Sequence, residues 1–229
     1  MSKVRNEPRL SVNKLAQYVT SRAARQNQIL RNAKYPPDYI TAYYRDAAEA
    51  IARFIGTGMA DLGVLDRASA KLLQANTGTV QQARQKSANI DAIETFESML
   101  DDIDIKGAVP SLAAHSPPHV MIGGVSVSVR PDVILKCQKG GATQVGGLKL
   151  HFPRSEPLDE EQAGLVSALL HRYVQDHLLD EGVASAGHCV IVDIASGKFY
   201  PGVASVKKRM NDIQSSCDHI AKLWPTVAS

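Results

Sequence analysis

The spacing of apolar residues changes near the middle of the chain, from a helical period to a strand period. In the first half, apolar side chains recur every three or four positions, as in amphipathic helices. This spacing predicts helices over residues 10–33, 38–55 and 91–103. Ser11 is the expected N-cap of the first helix, because a serine hydroxyl accepts a hydrogen bond from a free backbone N–H there. The Ala- and Gln-rich residues 59–86 are expected to form an exposed helix or a linker.

A loop rich in Pro, Gly, Ser and His, residues 107–119, precedes a region where apolar and polar residues alternate. The alternation predicts two antiparallel strands around Gly123-Gly124 and a third strand with the sequence VGGLKLHF. Residues 159–179 have a strong amphipathic pattern with acids in the first turn, which predicts a helix. The apolar run HCVIVDIASGKFY predicts an inner strand of a mixed sheet, and a last helix is expected over about residues 203–223.

The order of these elements predicts an α+β (α/β) fold, because a helix, three strands, a helix, a strand and a helix follow one another. A chain of 229 residues can form one sizeable core, alone or with a smaller helical part. We therefore expect an αβββαβ core with a mixed sheet in residues 87–229. A helical N-terminal segment, residues 1–86, would precede it.

Composition places the chain among ordinary globular proteins, with 44% hydrophobic and 21% charged residues. No apolar run has the length of a membrane span, and the N-terminal MSKVRNEPRL lacks the apolar core of a signal peptide. A cytoplasmic location without a membrane partner is the expectation. Three cysteines without CxxC spacing indicate reduced packing residues rather than disulfides or a zinc site.

Basic residues are concentrated at the start of the chain. Residues 1–34 contain eight basic residues and one acidic residue, a net charge of +7, whereas the whole chain carries +3 and the remainder therefore −4. Such asymmetry is typical of a surface that faces phosphates, and equally of a solvated helix face. The candidates for nucleic-acid binding on the first helix are Arg22, Arg25, Arg31 and Lys34.

An aspartate and a lysine stand out on neighbouring predicted strands. If the strands pair, Asp132 and Lys149 meet at the strand ends. Phosphodiester hydrolysis uses such a set, since a carboxylate holds Mg²⁺ and a lysine stabilises developing charge or helps to deprotonate water. Two structural roles remain open: Asp132 as a strand cap after a proline, and Lys149 as an edge-strand lysine that prevents aggregation. His151 could carry a proton or be an ordinary surface histidine.

The chain resembles the PD-(D/E)xK nuclease superfamily in the order αβββαβ, with Pro131-Asp132 on the second strand and Lys149 on the third. The similarity covers roughly residues 91–200, and LSVNKLAQYV resembles the helix that begins many RecB-like members. The whole chain also resembles a bacterial family with PD and GxKL strands. The resemblance implies a Mg²⁺- or Mn²⁺-dependent nuclease that hydrolyses DNA, with Asp132 and Lys149 as catalytic residues. It also implies a role in prokaryotic antiviral defence.

The chain departs from the superfamily pattern at the position of the second acid, where it has Gly147. Gln162 is also followed four residues later by Val166 rather than by the tyrosine of the Q-x-x-x-Y pattern. Some members carry the missing acid on a neighbouring helix, so Glu97 is the expected catalytic residue and metal ligand beside Asp132. The other candidates are Glu94, Glu160 and Glu161, and solvated helix-surface glutamates are the alternative for all of them.

Three functions are compatible with these residues. The first is the metal-dependent nuclease. The second is a nuclease-like fold without catalysis, acting as a subunit or adaptor that binds DNA, a larger protein partner or a second copy of itself. The third is a DNA-binding protein without chemistry, whose affinity would fall steeply with salt.

Overall fold

The computed structural model of the protein describes residues 4–36 and 43–228. Residues 38–42 of the helix predicted over 38–55 lie outside the described residues. The helices are α1 Val12–Thr20, α2 Ala23–Lys34, α3 Arg45–Gly56, α4 Gly63–Gln74, α5 Val80–Ser98, α6 Glu160–His177 and α7 Val206–Leu223. The strands are β1 Arg9–Ser11, β2 Val109–Leu112, β3 Val120–Ile122, β4 Val125–Ser128, β5 Val133–Lys139, β6 Ala142–His151, β7 Val183–Asp193 and β8 Lys198–Tyr200.

The strands form two sheets. The larger sheet has five strands in the order β2-β5-β6-β7-β8, and the smaller has three in the order β1-β4-β3. In the larger sheet β6 and β7 are parallel and are connected by α6, whereas the other neighbours are antiparallel. The α+β class and the mixed sheet are thus confirmed.

Helices cover both faces of the larger sheet and enclose two hydrophobic cores. One core contains residues of α3, α4 and α5 together with Leu148 and Leu150 of β6. The other contains residues of α1, α2, α6 and α7 together with Val145 of β6. Because successive strand side chains point to opposite faces, Lys149 and His151 face the side of α6 and α1. Both cores include residues from each side of residue 86.

The helix predicted over residues 10–33 is two helices. Ser11 is the N-cap of α1, as predicted, and its side chain accepts a hydrogen bond from the Lys14 N–H. The chain then leaves the helical conformation, since Ser21 and Arg22 are both extended. The Gln26 side chain donates to the Tyr18 carbonyl oxygen near the end of α1, at 2.9 Å, and so stabilises the break.

The segment before the sheet is more regular than the sequence indicated. Residues 59–86 contain α4, whose Leu65 and Leu72 are buried, and the start of α5. The helix predicted over 91–103 is the second half of α5, which begins at Val80 behind a capping box of Thr79 and Gln82 and ends at Ser98. The loop predicted over 107–119 includes β2, an edge strand that pairs with β5.

The predicted strand pairs are present, but the sequence did not indicate that they belong to two different sheets. β3 and β4 form the expected antiparallel pair around Gly123-Gly124, but they belong to the smaller sheet. Arg130, between β4 and β5, has a φ of 46°, which is not an extended conformation. The alternation of strand side chains that would place Arg130 and Asp132 on one face of a sheet is therefore interrupted at this residue. Gly140-Gly141, both with positive φ, form the turn between β5 and β6. The expected α6 and α7 are present. The run HCVIVDIASGKFY, expected as one inner strand, instead forms the end of β7 and the antiparallel edge strand β8.

Candidate functional site

Asp132 and Lys149 are in direct contact at the ends of two inner strands of the larger sheet. Asp132 immediately precedes β5, and its N–H donates to the Leu148 carbonyl oxygen at 2.9 Å, which extends the ladder with β6. Its Oδ2 atom accepts from the Lys149 Nζ atom at 3.0 Å and from the Leu150 N–H at 2.8 Å. The predicted meeting of the two side chains is therefore confirmed.

The position of Lys149 excludes one of its alternative roles. β6 is hydrogen-bonded to β5 on one side and to β7 on the other, so Lys149 is not an edge-strand lysine. Its side chain is only 14% exposed and that of Asp132 is 26% exposed. Pairing with a carboxylate offsets the loss of water around this lysine side chain.

The pair lies where the parallel strands of the sheet end. β6 and β7 both run toward this edge, and α6, which connects them, begins here at its N-cap Asp159. In open α/β sheets, ligands bind in the crevice beyond the carboxyl ends of parallel strands. The pair is therefore on the edge of the sheet that favours a ligand.

His151 extends the polar cluster along β6, toward α1. It is 2% exposed, so the surface role considered for it is wrong. Its Nε2 atom lies 2.7 Å from the Glu156 carbonyl oxygen and must donate to it, and its Nδ1 atom then accepts from the Asn13 amide at 3.0 Å. Burial lowers the pKa of His151, in agreement with a neutral ring. With both nitrogen atoms engaged, His151 holds the end of β6 against α1.

Asp193 is the fully buried acid opposite His151 at the end of β7. One carboxylate oxygen accepts from the Leu158 N–H at 2.9 Å and from the Ser196 hydroxyl at 2.7 Å, and the other accepts from the Ala195 N–H at 3.0 Å. Asp193 thus fixes the turn after β7 and the entry to α6. The sequence gives one signal for it, an acid at the end of an apolar strand.

Glu156 connects the loop after β6 with the basic N-terminal helices. Its two carboxylate oxygens pair with the Lys14 Nζ atom at 2.6 Å and with the Arg25 guanidinium at 2.5 Å. Burial acts to raise the pKa of Glu156, but hydrogen bonds from Lys14 and Gln17 and the charges of Lys14 and Arg25 lower it overall. The sequence analysis did not single out Glu156, because its partners are more than a hundred residues away.

Glu97 is not brought to the pair. α5 buries Ala92, Ile93 and Phe96 in the core on the opposite face of the sheet from Lys149. The pKa of Glu97 is raised by burial and by the charges of Asp66 and Glu94, which are therefore its charged neighbours.

The other acids considered as replacements, Glu160 and Glu161, are exposed in the first turn of α6. Among the described residues, no group of three or more His, Cys, Asp or Glu side chains could hold a metal ion. Asp132 is the one acid of the expected set that the structure places beside Lys149.

Gly147 is packed tightly where the superfamily has its second acid. A Cβ atom there would lie 3.2 Å from the Pro131 Cβ atom and 3.6 Å from the Leu170 Cδ2 atom of α6. Gln162, the residue compared with the Q-x-x-x-Y pattern, donates to the Thr20 hydroxyl at 3.1 Å and so joins α6 to α1. Gly147 and Gln162 thus both make close contacts with neighbouring elements on this face of the sheet.

The four basic residues predicted to bind nucleic acid differ in their environments. Arg22 and Arg31 are exposed, whereas Arg25 pairs with Glu156. The Lys34 Nζ atom donates to the carbonyl oxygens of Trp224 and Val227, at 2.8 and 3.0 Å, and so fixes the C-terminal residues to α2. Lys34 thus has a structural role.

A comparison with protein-family models and with curated proteins found no match to this chain. Within residues 4–36 and 43–228, no helix is both long enough and apolar enough to cross a membrane.

Proposed function

We propose that the protein is a metal-dependent nuclease of the PD-(D/E)xK type that hydrolyses DNA phosphodiester bonds. The observation that carries the proposal is the 3.0 Å contact between Asp132 Oδ2 and Lys149 Nζ on the two strands where the superfamily has its motif. The pair lies at the end of the parallel strands, where a ligand can approach. The role in prokaryotic antiviral defence that the resemblance implies belongs to the same proposal.

Asp132 fits a Mg²⁺ or Mn²⁺ ion that takes its remaining ligands from water and substrate phosphates. Its carboxylate is partly exposed, and the bonds from Lys149 and Leu150 both go to Oδ2. Magnesium is commonly held in proteins by one or two carboxylates together with phosphate oxygens, so a single aspartate is within its usual range. When bound, the ion polarises the phosphoryl oxygen and lowers the pKa of water.

Lys149 supplies positive charge at a fixed position beside the reacting phosphate. Its ammonium group is held by Asp132 and largely removed from water, where its interaction with developing negative charge is stronger than in bulk solvent. His151, two residues further along the same strand, keeps this end of β6 in place through its bond to Asn13. Lys149 is thus the catalytic partner of Asp132, and His151 is a positioning residue.

Cleavage of labelled linear and plasmid DNA with Mg²⁺, Mn²⁺ or EDTA tests this function. Wild-type protein should cleave only with metal, and Asp132→Asn and Lys149→Met should each lower the rate by about a hundredfold or more. Lys136→Met is the matched control, since Lys136 is also a strand lysine in an ion pair, 2.9 Å from Glu181, but outside the candidate site. Equal rates in Lys149→Met and Lys136→Met would contradict the proposal.

The second candidate is a nuclease-like fold that binds DNA or a protein partner without cleaving. The close packing of Gly147 favours it, because no acid stands two residues before Lys149. This candidate predicts DNA binding that weakens with salt, is unaffected by EDTA and is accompanied by no cleavage, or a stable complex with a partner. Gel-shift and cleavage assays on the same folded sample distinguish the two functions.

A further inference from the structure

A cleft of about 480 Å³ lies between β1, the start of α1 and α2. Its volume is within the range of sites for small molecules. Four cationic side chains and one carboxylate provide its charged lining, which leaves an excess of three positive charges: Arg5, Arg9, Lys14, Arg25 and Glu156. Glu156 connects the cleft to the polar cluster around His151.

Arg5 and Arg9 both line the cleft, and among the described residues their guanidinium groups bond to neutral groups. Arg5 donates to the Ala33 carbonyl oxygen at 3.4 Å, and Arg9 to His119 Nε2 at 3.1 Å. Burial and the charge of Arg9 lower the pKa of Arg5. Burial and the charge of Arg9 also lower the pKa of His119, so its ring is neutral at pH 7. No ion pair of either arginine is found within the described part of the chain.

The other side of the cleft already holds an anionic group. One Glu156 oxygen binds Lys14 and the other binds Arg25, so the carboxylate bridges two cations that come from different helices. A doubly charged ligand could replace this carboxylate, because a phosphate has more acceptor oxygens than a carboxylate and a greater charge.

We propose that this cleft binds the phosphoryl group of a nucleotide, with Arg5 and Arg9 as its ligands. Glu156 is then an internal competitor that holds Lys14 and Arg25 until the phosphate binds. Guanidinium groups match the geometry of phosphate oxygens, and the volume is far larger than a lone carboxylate or halide requires. The inference goes beyond cleavage, since it requires neither a metal nor Asp132.

Calorimetric titration of the full chain in EDTA tests the site. The titrants are inorganic phosphate, a nucleoside 5′-monophosphate, and a short single-stranded oligonucleotide with and without a 5′-phosphate. Arg9→Ala should weaken binding by about tenfold or more, the loss expected for one charge-assisted contact. Arg84→Ala, which removes an exposed arginine of α5 outside the cleft, should leave the affinity unchanged. Glu156→Gln should tighten binding by several-fold, because it removes the competitor.

The outcomes separate the source of the phosphate. Equal affinity for the mononucleotide and the oligonucleotide would indicate a free nucleotide, whereas strong preference for the phosphorylated oligonucleotide would indicate a nucleic-acid end. Absence of binding to all four titrants by folded protein would overturn the proposal. So would equal weakening by Arg9→Ala and Arg84→Ala, which would indicate diffuse charge attraction. Weaker binding by Glu156→Gln with an unchanged melting temperature would overturn the role of Glu156.

The test is independent of the proposed nuclease function. Asp132→Asn protein should bind the same titrants with wild-type affinity even though its cleavage is lost. Reduced phosphate binding by Asp132→Asn would instead place the ligand at the Asp132–Lys149 pair and overturn the cleft assignment. Arg9→Ala keeps the test decisive if Glu156→Gln folds poorly, since Arg9 is exposed and, within residues 4–36 and 43–228, its side chain bonds to His119 alone.

Discussion

Replacing Asp132 should destabilise the protein as well as remove its candidate chemistry, and the two effects can be separated. Asp132→Ala deletes the acceptor for both the Lys149 ammonium and the Leu150 N–H. Lys149, 14% exposed, would then be left without its carboxylate partner. Asp132→Asn keeps an oxygen acceptor for the Leu150 N–H and a side chain of the same size, so it removes mainly the charge.

The expected magnitudes follow from this difference. Breaking a buried ion pair from one side costs about 3–5 kcal/mol, and the partial exposure of both groups places this pair at about 3 kcal/mol. Asp132→Asn should cost about 1 kcal/mol, because its amide oxygen still accepts from the Lys149 ammonium and the Leu150 N–H and only the opposite charge is lost. In a chain of this length, 1 kcal/mol lowers Tm by about 2–4 °C. Asp132→Ala should therefore lower Tm by roughly 6–12 °C, and Asp132→Asn by only about 3 °C.

Urea denaturation followed by circular dichroism measures both variants against wild type. A double-mutant cycle with Lys149→Met isolates the pair, and its coupling energy should be about 1–2 kcal/mol. An unfolding free energy of Asp132→Ala within about 0.5 kcal/mol of wild type, the usual range of surface substitutions, would refute the argument that the pair stabilises the sheet. Equal losses of unfolding free energy in Asp132→Ala and Asp132→Asn would refute the argument that the two variants differ because Asn still accepts from the Leu150 N–H.

Three further predictions concern the fold. Gly146→Ala should lower the free energy of unfolding by more than about 3 kcal/mol, because the added Cβ atom would overlap the His188 carbonyl oxygen. Gly187→Ala, whose added Cβ atom would have its nearest neighbour at 3.7 Å, should lower it by less than about 1 kcal/mol in the same urea assay. Ellman's reagent should react quickly with Cys137 alone, since burial raises the pKa of the other two thiols to about 12; rapid reaction of all three in native protein would contradict this. Burial lowers the pKa of His151 below its usual 6.5, so the unfolded state binds more protons and the unfolding free energy should fall as the pH drops below about 6.5. Urea midpoints that stay constant from about pH 7.5 to 5.5 would contradict it.

Local signals made the second half of the fold predictable. α6 begins within a residue of the acids that favour a helix N-terminus, and the first part of the apolar run HCVIVDIASGKFY lies in the inner strand β7. The contact of Asp132 with Lys149 followed from a hairpin whose turn, Gly140-Gly141, sets the register between β5 and β6. These features depend on residues that are near one another in the sequence.

Features that depend on distant packing were not predictable. β2 has a largely exposed sequence, VPSL, because it is an edge strand, so its apolar pattern is weak. Helical periodicity showed that α5 has an apolar face but not which side of the sheet that face covers, and Glu97 lies on the side away from Lys149. Glu156 meets Lys14 and Arg25 across 142 and 131 residues, a distance over which no local pattern gives a signal.

The most direct test of the account is the Mg²⁺-dependent cleavage rate of a labelled linear duplex by wild-type, Asp132→Asn and Glu97→Gln protein, all at temperatures well below their melting points. The account predicts cleavage by wild type, a loss of about a hundredfold or more in Asp132→Asn, and an unchanged rate in Glu97→Gln, whose side chain lies in the opposite layer. No cleavage by folded wild-type protein, or equal rates for wild type and Asp132→Asn, would contradict it.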